Sequence, residues 1–142
     1  MIDHVGFPVA DFHRSRDFYL KALAPLGISL LMELSAEQTG GEAHAGFGAA
    51  GKPFFWIGTG PAPLSGRLHL ALAASSRAAV DAFYKAALAA GGTDNGPPGL
   101  RPHYHANYYG AFVLDPDGHN VEAVCHGAWP ATITGLTHVE QT

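Results

Sequence analysis

Near the start of the chain Val5, Phe7 and Val9 alternate with Ile2, His4, Gly6 and Pro8. This two-residue period predicts a strand with one large apolar face and one face of small or polar residues. The pattern returns further on, where Leu68, Leu70 and Leu72 alternate with Arg67, His69, Ala71 and Ala73. After each strand the period changes to that of a helix. In the first, Asp11 is placed to cap Phe12, Ser15, Phe18, Tyr19, Ala22 and Leu23. In the second, Ser75 or Ser76 caps a stripe of Val80, Phe83, Tyr84, Ala87 and Leu88, and Gly27 and Gly91 or Gly92 supply the stops. Further strands are predicted near Ile28–Leu34, Ala43–Gly48 and Phe54–Ile57, then near Thr93–Gly96, Tyr108–Leu114 and Asn120–Cys125. Asp115-Pro116-Asp117-Gly118 reads as the turn between the last two.

These two runs are copies of one unit. Slid by 65 residues, the chain matches itself at His4/His69, Phe18/Phe83, Tyr19/Tyr84, Ala22/Ala87, Leu23/Leu88, Ala24/Ala89 and Gly27/Gly92. Such self-similarity signals a duplicated structural unit. The same offset puts Phe47 on Phe112. The expected organisation is one domain, residues 1–126, built from a module at about 1–60 and another at about 67–126. Gly58 to Gly66 joins them, and residues 127–142 form an unassigned tail.

Composition narrows the class. Of 142 residues, 47% are hydrophobic and 14% charged, which excludes a disordered chain and provides for a core. The net charge of −4 and the lack of a basic run argue against nucleic acid as a partner. No apolar run reaches the roughly 18 residues of a membrane span. The start, Met1-Ile2-Asp3, has neither the basic nor the apolar part of a secretory signal, so a cytoplasmic protein is expected. A single cysteine, Cys125, excludes an internal disulfide framework and is expected on the helix-packed side of its strand. The unusual feature is nine histidines.

In the last strand Val121 and Ala123 suit the packed side, which turns Glu122 toward the open one. His4, His69 and Glu122 are therefore polar residues from three strands on the less apolar face. Two imidazoles and a carboxylate can hold a divalent metal on one triangular face and leave the opposite positions free. Isolated strand histidines are more often structural; repeat-equivalent ones with a matching glutamate weigh toward metal binding.

With these residues in view, the chain resembles the vicinal oxygen chelate superfamily of glyoxalase I, extradiol dioxygenases, fosfomycin-resistance proteins and bleomycin-binding proteins. The resemblance rests on Ile2-Asp3-His4-Val5, the Phe18-Tyr19 helix, His69, and Asp115-Pro116-Asp117-Gly118 followed by Glu122. It implies an α+β fold of two paired βαβββ modules whose curved mixed sheets enclose a cavity. It also implies metal ligands at His4, His69 and Glu122, and a homodimer acting on a small molecule. Bound Fe(II) would suit ring-opening dioxygenation; Zn(II), Ni(II), Co(II) or Mn(II) would suit isomerase or lyase chemistry. The alternative is a bleomycin-resistance-like binder without turnover. Glyoxalase I-like members carry a fourth ligand, a glutamate on the last strand of module one. The offset places Ile57 there with Trp56 beside it, and neither ligates a metal. A three-ligand centre is therefore expected, nearer the dioxygenase and fosfomycin-resistance branches. The latter ranks lower because no Lys/Tyr/Arg set for a phosphonate is evident.

A second polar cluster runs from Arg101 to Tyr109. His103 and His105 are candidate acid–base groups, Arg101 could hold an anionic substrate, and Tyr104, Tyr108 and Trp56 could line the pocket. His13 and His119 are expected at the surface, and His44, His126 and His138 have no evident partner in the sequence.

Overall fold

The computed structural model describes residues 1–62, 64–66 and 68–127. Arg67, His138 and the tail beyond Gly127 lie outside the described residues. Among the described residues, eight strands and three α-helices follow in the order β1 (Val5–Pro8), α1 (Phe12–Leu23), β2 (Ser29–Leu34), α2 (Ala36–Thr39), β3 (His44–Ala49), β4 (Lys52–Gly58), β5 (His69–Ala73), α3 (Arg77–Ala89), β6 (Thr93–Leu100), β7 (Tyr109–Leu114) and β8 (Asn120–Cys125).

The strands form two mixed four-stranded sheets of matching order, β1-β4-β3-β2 and β5-β8-β7-β6. In each, the first strand pairs parallel to the last and the remaining pairs are antiparallel. The α+β architecture of two βαβββ units is as expected, but the sheets are separate and do not close around a common cavity within the chain.

The predicted helix signals act as read. Asp11 accepts from the Arg14 N–H and Ser76 from the Ala79 N–H, each at 3.1 Å. Gly27 and Gly91, at φ of 74° and 100°, turn the chain out of the helical segments. Helices α1 and α3 pack on each other. One hydrophobic core joins the inner faces of both sheets, with Phe47, Phe55 and Ile57 from one and Ala111, Val113 and Val121 from the other. Each large side chain fully buried there contributes about 1.5–3 kcal/mol.

Individual elements also differ from the sequence reading. A one-turn helix, α2, lies between β2 and β3, closed by a capping box of Ser35 and Gln38. Strand β6 runs to Leu100, well past Gly96, although it contains Pro97 and Pro98. It tolerates them as an edge strand, where a missing N–H need not break the ladder, and its register slips twice against β7. His119, expected at the surface, is 2% exposed. Gly118, at φ 84°, folds the chain back so that the imidazole packs edge-on to Phe7, with ring centroids 5.3 Å apart. Neither of its ring nitrogens has a hydrogen-bond partner among the described residues.

The turn at Asp115 also fastens the modules together. One Asp115 carboxylate oxygen accepts from the N–H groups of Asp117 and His119, at 2.9 and 2.8 Å. The other accepts from the Tyr19 hydroxyl of α1 at 2.6 Å, and Asp117 accepts from the Ala10 N–H.

Candidate metal centre

Strands β5 and β8 pair so that Ala71 lies opposite Glu122, with His69 two residues earlier on the same face. The parallel register and the two-residue period bring the two side chains together. His69 Nε2 is 2.8 Å from Glu122 Oε2. Glu122 is 1% exposed, so its charge is buried, while the His69 ring is half exposed. Tyr108 donates its hydroxyl to the other oxygen, Oε1. Burial, and then the Glu122 carboxylate, push the Tyr108 phenol well above the usual tyrosine range, so it remains a donor.

Beyond this trio lies a pair of imidazoles. His105 Nδ1 accepts from the Asn107 N–H at 3.1 Å, so neutral His105 carries its proton on Nε2, which donates to His126 Nδ1 at 2.9 Å. Desolvation, and then His105, lower the pKa of His126, which favours its neutral form. His126 thus has a partner that its sequence position did not reveal.

His4 lies elsewhere. It precedes β1 and lines a cavity of about 610 Å³ with Trp56, Glu42 and His44, whereas His69 opens on a separate cavity of about 480 Å³ beside Asn95 and Asn120. The His4 Nδ1–H donates to Asp3 at 2.8 Å, which leaves Nε2 available. Asp3 is also held by Lys52, and its carboxyl pKa is lowered first by the His4 hydrogen bond and then by Lys52. Among the described residues, no three His, Cys, Asp or Glu side chains converge within the chain. The structure thus brings His69 and Glu122 together and leaves His4 apart.

The other candidates divide similarly. Tyr104 is exposed, and its ring meets those of Tyr108 and His103 at a tilt, with centroids 4.8 and 4.2 Å away. The Arg101 guanidinium lies over Phe112 and donates to the Pro97 carbonyl at 2.7 Å, bracing the irregular part of β6. Cys125 is half-buried against the core. His13 is exposed. His44 Nε2 lies 3.6 Å from Glu42, on the cavity that contains His4.

The register also relocates the missing fourth ligand. Gly6 pairs with Trp56 as Ala71 pairs with Glu122, and Gly46 pairs with Trp56 as Phe112 pairs with Glu122. Trp56, rather than Ile57, therefore occupies the place of Glu122 in module one. Ile57 is equivalent to Ala123, and both are in the core. The shift by one residue explains the miss: an offset that fits the first strand and helix no longer fits the later strands.

Two βαβββ modules with the same sheet order, joined by one core, define a protein of the duplicated-module class. The chain belongs to the Glyoxalase/Bleomycin resistance protein/Dioxygenase superfamily, whose model matches residues 1–123. Among solved structures, a glyoxalase/bleomycin resistance protein from Albidiferax ferrireducens T118 is 28% identical with a TM-score of 0.69, covering 87% of this chain and 97% of that one. A glyoxalase-related enzyme from Fulvimarina pelagi is 20% identical with a TM-score of 0.65, covering 92% and 91%. Glyoxalase I from Zea mays is 20% identical with a TM-score of 0.65, and this chain spans 43% of it. No curated protein matches the chain. None of the helices among the described residues is long and apolar enough to cross a membrane.

Proposed function

We infer that the protein is a cytoplasmic, homodimeric, metal-dependent enzyme of the glyoxalase/dioxygenase type. His69 and Glu122 of one protomer and the partner subunit's His4 would hold a divalent ion. The observation that carries this reading is the 2.8 Å approach of His69 Nε2 to Glu122 Oε2. Two donors at right angles, each about 2.1 Å from one ion, lie about 3 Å apart, so the pair needs little rearrangement to become ligands. A buried carboxylate oriented through its second oxygen is also how ligand sets are held in place. His4, exposed with Nε2 free, can complete the set only from a second copy.

Bound there, a divalent ion would supply Lewis acidity or, as iron, dioxygen activation toward a substrate with two adjacent oxygens. The chain's own residues have separable tasks. Tyr108 keeps Glu122 Oε1 occupied and directs Oε2 outward, and Asp3 orients His4. His105 and His126 pack against the Tyr108 ring, with centroids 5.5 and 5.1 Å away, and hold it beside Glu122. Metal analysis after mild purification tests the reading. Stoichiometric divalent metal is expected in the wild type, with loss in His69→Ala and in Glu122→Gln. A wild type that carries no metal and takes none up would overturn the reading.

A competing reading is a binder without turnover. The roomy cavity beside Trp56 favours it, and the same metal analysis separates the two.

A further inference from the structure

Strand β6 carries a dipeptide that the metal-dependent reading leaves unused, Asn95-Gly96. Asparagine is thermolabile, because the backbone nitrogen of the next residue can attack its side-chain carbonyl carbon. A side chain on that next residue shields the nitrogen, and glycine has none. The other asparagines of the chain, Asn107 and Asn120, precede Tyr108 and Val121. Asn95 is exposed, and it is the one followed by glycine.

The fold holds this peptide loosely. Among the described residues, β6 is an edge strand that pairs only with β7. Its register slips between Asp94 and Gly96 and again between Gly96 and Gly99. Pro97 and Pro98, which lie within the second slip, bring no N–H to the ladder. Gly96 sits at φ 146°, a conformation that residues with side chains rarely adopt. Irregular edges of this kind open locally at the lowest cost.

The groups that the reaction needs are in place. The Gly96 N–H donates to Asp94 Oδ1 at 2.9 Å, so the proton that has to leave already points at a carboxylate. A positioned carboxylate is an ordinary general base. The Asn95 side chain is held by one exposed hydrogen bond, from its Nδ2 to Asn120 Oδ1 at 3.1 Å, which is a weak restraint.

We propose that Asn95 is a site of spontaneous deamidation, assisted by Asp94. The Gly96 nitrogen gives its proton to the Asp94 carboxylate and bonds to Asn95 Cγ. The Cγ–Nδ2 bond then breaks, and Nδ2 takes the proton back and leaves as ammonia. The resulting succinimide ring is opened by water at either of its carbonyl carbons, to aspartate or to isoaspartate. Overall, asparagine and water become an acid and ammonia, and no oxidant or cofactor takes part. Asn95 and Asn120 line the cavity of about 480 Å³ on which His69 opens. The conversion removes the donor on which Asn120 relies and adds a negative charge to that cavity. It changes module two with age, whether or not a metal binds there.

The test incubates full-length protein in mildly alkaline buffer, folded and in denaturant. Samples taken over time are digested in acid and mapped by mass spectrometry, with aspartyl and isoaspartyl peptides separated by chromatography. In folded wild type, residue 95 is expected to convert to a mixture of both acids, at a rate within about tenfold of that in denaturant. Asn107 and Asn120 are expected to stay intact over the same period, and Asn95→Gln to show no conversion at residue 95. Asp94→Ala is expected to slow the folded protein severalfold and to lose most of that effect in denaturant. If Asp94→Ala does not fold, the comparison of folded with denatured wild type carries the test. Conversion in the folded protein more than about tenfold slower than in denaturant would overturn the proposal, since the strand would then protect Asn95. Folded Asp94→Ala that converts as fast as wild type would overturn the part given to Asp94.

Discussion

Asp115 shows how one side chain can join two copies of a module. It is 4% exposed, and both its oxygens are occupied, one by the turn's own N–H groups and the other by Tyr19. The Asp-Pro-Asp-Gly run, the most distinctive stretch of the sequence, thus serves structure directly, by closing the turn and anchoring α1 to module two. It serves the site only by fixing where β8 begins. Tyr19→Phe should lower stability by about 1.5–3 kcal/mol, because it takes a hydrogen bond from a buried charge, and chemical denaturation measures this. Burial, and then Asp115, raise the Tyr19 pKa well above 10. The unfolded chain therefore loses this proton first. The stabilisation from the protonated phenol is full below about pH 10 and is lost as pH rises through the folded value, and Tyr19→Phe should flatten that alkaline loss.

At the scale of elements, alternation and capping were legible because each is a local rule: Asp11, Ser76 and Gly27 act where their neighbours require. The pairing of His69 with Glu122 was legible because strand parity places both on one face. What the sequence hid depends on distant partners. His119 follows a turn and has a polar ring, yet the seam against Phe7 buries it. The His105–His126 contact joins a loop to the end of β8, and nothing in either segment signals it. The repeat offset failed for the same reason, since a one-residue slip reverses which face a side chain occupies. This gives a paired prediction. Ile57→Glu puts a carboxylate in the core without a partner and should cost about 4 kcal/mol or more, seen as loss of cooperative unfolding. Trp56→Glu puts it on the open face at the place of Glu122. That variant should fold and bind divalent metal more tightly than wild type in a titration after chelator treatment. If Ile57→Glu were the one that folded and tightened the metal, the register would be wrong.

For the whole molecule, the shared core holds the modules together through their helices, and His4 and His69 open on different cavities. On the proposed reading, a chain built this way would carry two half-sites, one on each open sheet face. Two copies related by a two-fold axis would present the His4 half of each to the His69–Glu122 half of the other, a self-complementary arrangement that forms two equal sites. Complementation between variants distinguishes this from a site within one chain. His4→Ala and His69→Ala each remove a ligand from both sites of their own homodimer, so neither should retain tightly bound metal. When the two are unfolded and refolded together, the mixed dimer has one site lacking both histidines and one with all three ligands intact. Metal binding should therefore return in the mixture, confined to the heterodimer fraction when the species are separated by a charge tag on one variant. Were the ligands drawn from one chain, every site in every species would lack a histidine and mixing would restore nothing. Failure to recover metal in a verified heterodimer would thus remove the shared site, while leaving intact the contact between His69 and Glu122 from which it was argued.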